Sequence, residues 1–308
     1  MNLLHLKYAV VIAETNSMTR AADKLYTAQP NLSRAIRELE GTLGITIFKR
    51  TSKGIYPTPE GEEFLGYARK ILNQVDEIEE MYKGSGKRSR KFSISVPRAS
   101  YIACAFTDFV KMMDVSESAE YFYKETNALR AVNNVTGEDY RLGIIRYQES
   151  FDRNFKDMLS EKSLHGEMVF EFRYRLLMSA AHPLAQKQII CLSDLKPYVE
   201  IAHADPYIPS LSLSAARKNE IADDTDKIIF VFERASQMDI LSESSNTFMW
   251  VSPVPGRLLE KYNLVERECD DFSRVYKDVL IYREGYRLTE TDQMFIDKLM
   301  EVKRGLNK

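Results

Sequence analysis

Cysteine is scarce in this chain: three among 308 residues, at positions 104, 191 and 269. Three thiols so widely spaced, and odd in number, suggest neither a disulfide framework nor a zinc site, and they fit a reducing cytoplasm. Long apolar runs are lacking too. The longest, 8–13 and 101–106, have six residues each, against the roughly 20 that a membrane-spanning helix needs. The first of them has no basic leader and no small-residue cleavage pattern, so a secretory signal is not expected. Histidine numbers four. His5, His165, His182 and His203 have no metal-ligand spacing to one another or to a cysteine, so no metal is expected. A glycine-rich phosphate loop and a nucleophile elbow are absent as well. A dispersed catalytic triad would leave no such trace, but nothing nominates one, and an enzyme is not expected.

What is present is ordinary in bulk and uneven in detail. A hydrophobic content of 44% and a charged content of 29% suit a globular protein of two or three domains with a sizeable core. The net charge of −2 hides an asymmetry. Residues 1–58 hold eight Lys/Arg and four Asp/Glu, residues 59–90 six and seven, and the remainder carries −5. A basic amino-terminal end on a mildly acidic body suits a small phosphate-binding module joined to something else.

Leu3, Leu6, Val10 and Ala13 recur at helical spacing and predict a first helix. Asn16-Ser17 breaks it, and Ser17 can cap a second helix in which Met18, Ala21, Ala22 and Leu25 point inward. The two alanines allow a third helix to cross closely, as a helix-turn-helix requires. Thr27 is a candidate cap for that third helix, and Pro30 falls in its first turn. Leu32, Ile36, Leu39 and Leu43 make its buried stripe, and Gly44 ends it. At about 100° per residue, Pro30, Ser33, Arg34 and Arg37 fall on the opposite side. With Gln29 and Asn31 near the helix start, and Thr19 and Arg20 at the start of the second helix, they supply base-reading and phosphate-binding groups. Two short β-like runs, 47–50 and 54–56, flank Thr51-Ser52-Lys53 and predict a wing whose Arg50 and Lys53 reach phosphates or a minor groove.

Thr58-Pro59-Glu60 is a helix start. Beyond it Phe64, Ala68, Ile71, Val75, Ile78 and Tyr82 are spaced by 4, 3, 4, 3 and 4 residues, a heptad seam. A helix from 59 to about 84 would be roughly 39 Å long, with a second copy of itself as the natural cover for the stripe. Residues 84–90 make a polar, glycine-containing hinge.

Residues 1–90 resemble the winged helix-turn-helix and linker helix of LysR-type transcriptional regulators. The match runs through Ala21-Ala22, Leu25, Gln29-Pro30, Leu32-Ser33, Ile36, Leu39-Glu40, Leu43-Gly44, Phe48, Arg50, Thr58, Gly61 and Ala68. Ala28 stands where a serine is common, Ile47 where leucine is usual, and Pro57 where a leucine is usual. The resemblance implies a homodimer, or a tetramer built as a dimer of dimers, on double-stranded DNA. It also implies a small-molecule co-inducer in place of any cofactor, with RNA polymerase as a further candidate partner.

After residue 90, strand-like and helix-like runs alternate and predict mainly parallel sheets. Strand-like runs fall at 92–96, 121–125, 142–145, 170–179, 198–202, 228–232, 248–251 and 279–282. Helical runs fall at 101–113, 127–133, 236–243, 256–262 and 289–302. By position, and through His182-Pro183-Leu184 and Leu192-Ser193-Asp194-Leu195, this part resembles the family's two-lobed effector domain, similar to a periplasmic binding protein. Residues 244–251 depart from the family's glycine-rich turn with larger side chains, which would shrink or reshape the ligand cleft; the alternative is an effector-independent regulator with a degenerate pocket.

The expected fold is therefore α/β overall, in three parts. Residues 1–58 form a winged helix-turn-helix, mainly α with a β wing. Residues 59–90 form the linker helix and hinge. Residues 91–308 form the effector-binding domain, with lobe I at about 91–164 and 266–308 and lobe II at about 165–265. Ligands of open α/β sheets gather at the carboxyl ends of strands and at helix amino termini. That nominates Arg98, Ser100, Thr126, Asn127, Arg146, His203 and Ser252, with Arg98 and Arg146 as a fork for an anionic ligand. The expected function is a cytoplasmic, effector-modulated DNA-binding regulator. Its rivals are a solute-sensing module without DNA binding and an enzyme on a two-lobed scaffold.

Overall fold

A computed structural model describes residues 2–51, 54–82, 90–113, 119–137, 140–220 and 227–306. The predicted Lys53, and most of the hinge at 84–90, lie outside the described residues. The chain divides into two units, residues 1–88 and 89–308.

The first unit holds α1 (Leu3–Thr15), α2 (Met18–Lys24), α3 (Gln29–Leu43), β1 (Phe48–Thr51), β2 (Gly54–Pro57) and α4 (Pro59–Tyr82). Its boundaries follow capping chemistry. Asn16 ends α1 in the left-handed region, and the Ser17 side chain accepts from the Arg20 N–H to open α2. Gly44, at φ 71°, ends α3. Thr27 is not the cap of α3. That place falls to Ala28, whose methyl group cannot accept a hydrogen bond, and the start relies on Pro30 in the first turn. Leu6, Ala9, Ile12, Ala21, Ala22, Leu32, Ile36 and Leu39 close into one core. β1 and β2 pair antiparallel as a wing.

Part of the heptad seam of α4 belongs to this core. Leu65 and Ala68 are fully buried, with Phe64, Ile71 and Leu72 packed beside them. A helix laid against α1 must spend its first turns covering its own domain, so the seam is not one continuous intermolecular stripe. Val75 is half-buried, and Ile78 is 56% exposed. The Tyr82 side chain lies outside what is described.

The second unit carries two five-stranded sheets. Along the chain come β3 (Arg90–Val96), α5 (Ser100–Val110), β4 (Ala119–Glu125), α6 (Ala128–Gly137), β5 (Leu142–Gln148), α7 (Asp152–Glu161) and β6 (Leu164–Arg173). There follow β7 (Arg175–Ser179), α8 (Leu192–Leu195), β8 (Val199–His203), α9 (Leu213–Glu220), β9 (Ile228–Val231), α10 (Arg234–Glu243) and β10 (Thr247–Val251). Last are α11 (Gly256–Tyr262), β11 (Leu264–Arg267), β12 (Val275–Arg283) and α12 (Glu290–Gly305). The first sheet has the order β4-β3-β5-β12-β6 and the second β11-β7-β10-β8-β9.

Two expectations are corrected. The sheets are mixed rather than mainly parallel: β12 runs antiparallel to β5 and β6, and β7 runs antiparallel to β10 and β11. The run 170–179 is not one strand. It crosses from one sheet to the other at Tyr174, so lobe I extends to Arg173 instead of ending near 164. The return crossing falls after β11 and before β12, so 264–267 belongs to lobe II. Strand-to-strand passage between sheets is what introduces antiparallel neighbours here, because no crossover helix intervenes.

Alternation on β3 shows how the first sheet is built. Phe92, Ile94 and Val96 point into an aromatic core with Phe109 and Phe295 from α5 and α12. Ser93 and Ser95 point the other way, where Ser95 Oγ accepts from Asn134 of α6 at 2.8 Å. In the second sheet Phe248 and Trp250 face one core and Met249 the other. Among the described residues no helix is long and apolar enough to cross a membrane.

Candidate nucleic-acid interface and interlobe cavity

In the first unit, Thr19, Arg20, Gln29 and Arg50 line one polar recess together with Ser17 and Gly54. Three elements deliver them: the start of α2, the start of α3 and the wing. The wing is held there because Ile55 N–H donates to the Asn16 carbonyl at 3.1 Å. Gly54, at φ 132°, lets the strand come this close, since a Cβ would sit 2.7 Å from the same oxygen. Arg20 Nη2 donates to the Thr15 carbonyl at 2.6 Å, which ties one corner of the guanidinium to the end of α1 and leaves the side chain at the surface.

Pro30, Asn31, Arg34 and Arg37 are exposed on α3. Arg37 Nε donates to the Ser33 carbonyl at 3.3 Å. Ser33 is corrected: it is buried, at 9% exposure. It sits only about 60° around the helix from Ile36, on the shoulder of the apolar stripe rather than opposite it. Sequence reasoning missed Glu40 as a positioning residue. Its Oε1 accepts from the N–H groups of Ile47 and Phe48 at 2.7 and 3.1 Å and so fastens the root of the wing to α3.

In the second unit a cavity opens between the lobes, with about 720 Å³ of empty space counting its open mouth. Arg98, Thr126, Asn127, Arg146 and His203 line it. Ser100 and Ser252 line a smaller adjoining recess that shares Arg98, Arg146, Tyr174 and His203. The structure thus brings all seven nominated side chains to these two recesses, with one correction: Arg146 lies inside β5, opposite Asp278 of β12, rather than beyond the strand's end.

Their electrostatics differ from expectation. Arg98 Nη1 lies 2.9 Å from Asp205 Oδ1, and its Nε donates to the Phe232 carbonyl. Asp205 also takes Arg130 at 2.9 Å, and its carbonyl accepts from Asn127. Arg146 bonds Asp278 through Nε and Nη2, at 2.8 and 2.6 Å. Burial alone would lower its pKa, but the Asp278 carboxylate outweighs it and the guanidinium is held more firmly charged. Tyr101 donates to the same carboxylate at 2.6 Å. The expected fork for an anion is therefore corrected: both guanidinium groups already hold a carboxylate of this chain. His203 is pushed down to about 3 by burial, with the nearby charges of Arg98 and Arg146 adding to it. It is neutral at physiological pH and pairs through Nδ1 with the Gln237 amide at 2.9 Å.

The atypical run 244–251 supplies Met249, Trp250 and Val251 to the wall of the adjoining recess. Trp250 is stacked on Phe272 at 4.0 Å. Arg234 Nη2 of α10 donates to Ser100 Oγ across the same recess. Sequence reasoning missed the aromatic wall of the main cavity, formed by Tyr147, Phe151, Phe155, Tyr174, Tyr207 and Tyr276.

Residues 3–62 match the model of the bacterial regulatory helix-turn-helix proteins of the lysR family. The chain is 49% identical over 83 residues to the HTH-type transcriptional regulator BenM of Acinetobacter baylyi, a stretch that covers 27% of either chain. It is 25% identical over 292 residues to the HTH-type transcriptional regulator AlsR of Bacillus subtilis, covering 92% of this chain and 91% of AlsR. A full-length OxyR variant from Pseudomonas aeruginosa has the same fold, with a TM-score of 0.65 at 16% identity over 99% of this chain and 97% of that one. Residues 3–62 are thus a helix-turn-helix of the bacterial regulatory lysR family, and the two-lobed α/β unit that follows shares its fold with a full-length OxyR variant.

Proposed function

We propose that residues 1–58 read double-stranded DNA, that the helix 59–82 pairs two copies, and that the two-lobed unit adjusts the assembly through a small molecule in its cavity. The observation that carries this is the convergence of Thr19, Arg20, Gln29 and Arg50 on one polar surface, with Pro30, Asn31, Arg34 and Arg37 exposed on the first turns of α3. Side chains at a helix start reach base edges in a major groove, while the basic wing and α2 hold phosphates and set the register. The exposed carboxy-terminal part of α4, around Ile78, offers the pairing face. Pairing fixes the distance between two reading heads, as half-sites on one face of a duplex demand.

The small molecule acts by binding one arrangement of the lobes better than another. No catalytic role is proposed: His203 is neutral and bonded to Gln237, and the buried Asp278 is engaged with Arg146 and Tyr101. Intracellular action, recruitment of RNA polymerase and a tetramer of paired dimers are extensions of the same reading, in line with BenM and AlsR being transcriptional regulators.

The test is a gel-shift titration of the full chain on its own promoter fragment. Arg34→Ala should cost about 1–3 kcal/mol of specific affinity, roughly 5- to 150-fold, with the oligomer intact. Unchanged affinity would overturn the assignment of α3.

A further inference from the structure

The interlobe cavity has an unusual pairing of surfaces for a ligand site: aromatic walls, and charges that are already neutralised. Tyr174 stacks on Tyr276 with centroids 4.0 Å apart, and Tyr147 on Phe155 at 4.3 Å. Tyr207 meets Phe155 edge-on. Rings so arranged favour a flat, polarisable guest, which they contact by offset stacking or by edge.

The two most buried cations of the cavity are each already paired with a carboxylate of the chain. Arg98 and Asp205 each keep only 10% of their side chains exposed, and Arg146 and Asp278 keep 11% and none. Arg130 adds a second cation to Asp205, but its side chain is 63% exposed and therefore screened by water. Arg234, in the adjoining recess, is hydrogen-bonded to Ser100 and in electrostatic range of Glu125. A carboxylate entering here would shed its water, find the Arg146 fork filled by Asp278 and Arg98 already ion-paired through Nη1 with Asp205, and lie beside the Asp205 carboxylate. His203 brings no charge to offset that cost. With Nδ1 accepting from Gln237, the neutral ring carries its proton on Nε2, as a donor.

We propose that this cavity takes a neutral, planar aromatic molecule bearing one hydrogen-bonding group, and that Asp205 is the specificity-determining residue that turns carboxylates away. The proposal rests on the reading of the cavity as the effector site. Asp205 stands where a ligand's own carboxylate would otherwise pair with Arg98, so the lobe-to-lobe bridge that an anionic ligand would make is supplied by the chain itself.

Benzamide and benzoate test it, being nearly the same shape and differing in charge. The chain has one tryptophan, Trp250, on the wall of the recess adjoining the cavity, so its emission reports binding to the full-length protein without a label. Benzamide should bind at least about tenfold more tightly than benzoate. In Asp205→Asn, which removes the negative charge beside Arg98, benzoate should gain at least about tenfold relative to benzamide. Equal or tighter binding of benzoate by the natural chain would overturn the proposal. So would failure of benzamide to bind below about 10 mM, weaker than ordinary small-ligand affinity, or a benzoate affinity unchanged relative to benzamide in Asp205→Asn. The ranking in the natural chain decides the matter even if the variant does not fold. Gel shifts with the ligand-free protein keep the two readings apart. Intact DNA binding with the wrong ligand ranking sinks only this proposal. The right ranking without any effect of benzamide on DNA affinity sinks only the effector reading.

Discussion

Gly61 stands three residues inside the linker helix, where a Cβ would lie 2.0 Å from the Ile47 carbonyl oxygen. Its N–H donates to Thr58 Oγ1 at 2.9 Å, the cap of that helix. Two effects of Gly61→Ala compete. Alanine is the better helix former by about 1 kcal/mol, whereas overpacking costs about 1–3 kcal/mol. The obstructing atom is backbone and cannot swing away, so the clash wins. Gly61→Ala should lower the denaturation midpoint of the amino-terminal unit, followed by circular dichroism in urea; a raised midpoint would show that strand and helix are not in this contact. His203 offers a second test, with a definite sign. The unfolded chain takes up a proton as pH falls through about 6.5, but the folded chain refuses it until about 3. Stability is therefore unaffected above 6.5 and is lost progressively on acidification between these values. His203→Asn should remove that component. Between pH 6.5 and 4.5 its Tm should fall about 5 °C less than that of the natural chain, and parallel curves would contradict a neutral, enclosed imidazole.

At the scale of elements, the linker helix shows what a sequence period can and cannot say. The 4-3 spacing from Phe64 to Tyr82 identified a helix with one apolar side, and α4 spans Pro59–Tyr82. It did not say who covers that side. Its first turns pack on α1 with Ala68 wholly buried, and only the later turns, with Ile78, are open. The two halves should answer mutation differently. Ile78→Glu should leave the fold intact and shift the molecular mass in light scattering toward the monomer. Ala68→Glu places a charge in the core, which costs several kcal/mol, and should unfold the reading domain itself. A dimeric, folded Ile78→Glu would assign pairing to another face. The same limit explains the other corrections. Ser33 lies at the border of a helical stripe, where a simple division into two sides fails. Residues 170–179 read as one strand because alternation carries no information about which sheet a strand joins, and the crossing at Tyr174 leaves no mark. Arg98 was legible as a side chain just beyond a strand end, whereas Arg146 lies within β5 because that strand runs on to Gln148. Their partners, Asp205 and Asp278, lie more than a hundred positions further on, and only folding brings them together.

Over the whole molecule, the division of charge sets how DNA affinity responds to salt. The chain as a whole carries −2, yet residues 1–58 carry twice as many basic as acidic side chains. Arg20, Arg34, Arg37, Lys49 and Arg50 are exposed in that segment. If about four cations per reading head neutralise phosphates, a dimer displaces about eight counterions, and log K should fall against log salt with a slope of about −7. The acidic remainder contributes nothing to that slope, since counterions are released only where phosphates are met. Dimerisation and DNA contact thereby become one measurement. Ile78→Glu, if it separates the two copies, should halve the slope to about −3.5 as well as weaken binding, because one head engages at a time. Arg34→Ala, by contrast, should keep the steep slope of a paired molecule, reduced by at most about one contact per head, while losing discrimination between its own promoter and unrelated DNA. Fluorescence anisotropy on a labelled promoter fragment, titrated at four or five salt concentrations, separates the two cases. A slope that is shallow in the natural chain, or unmoved when the copies come apart, would mean that the basic segment does not grip the duplex in pairs.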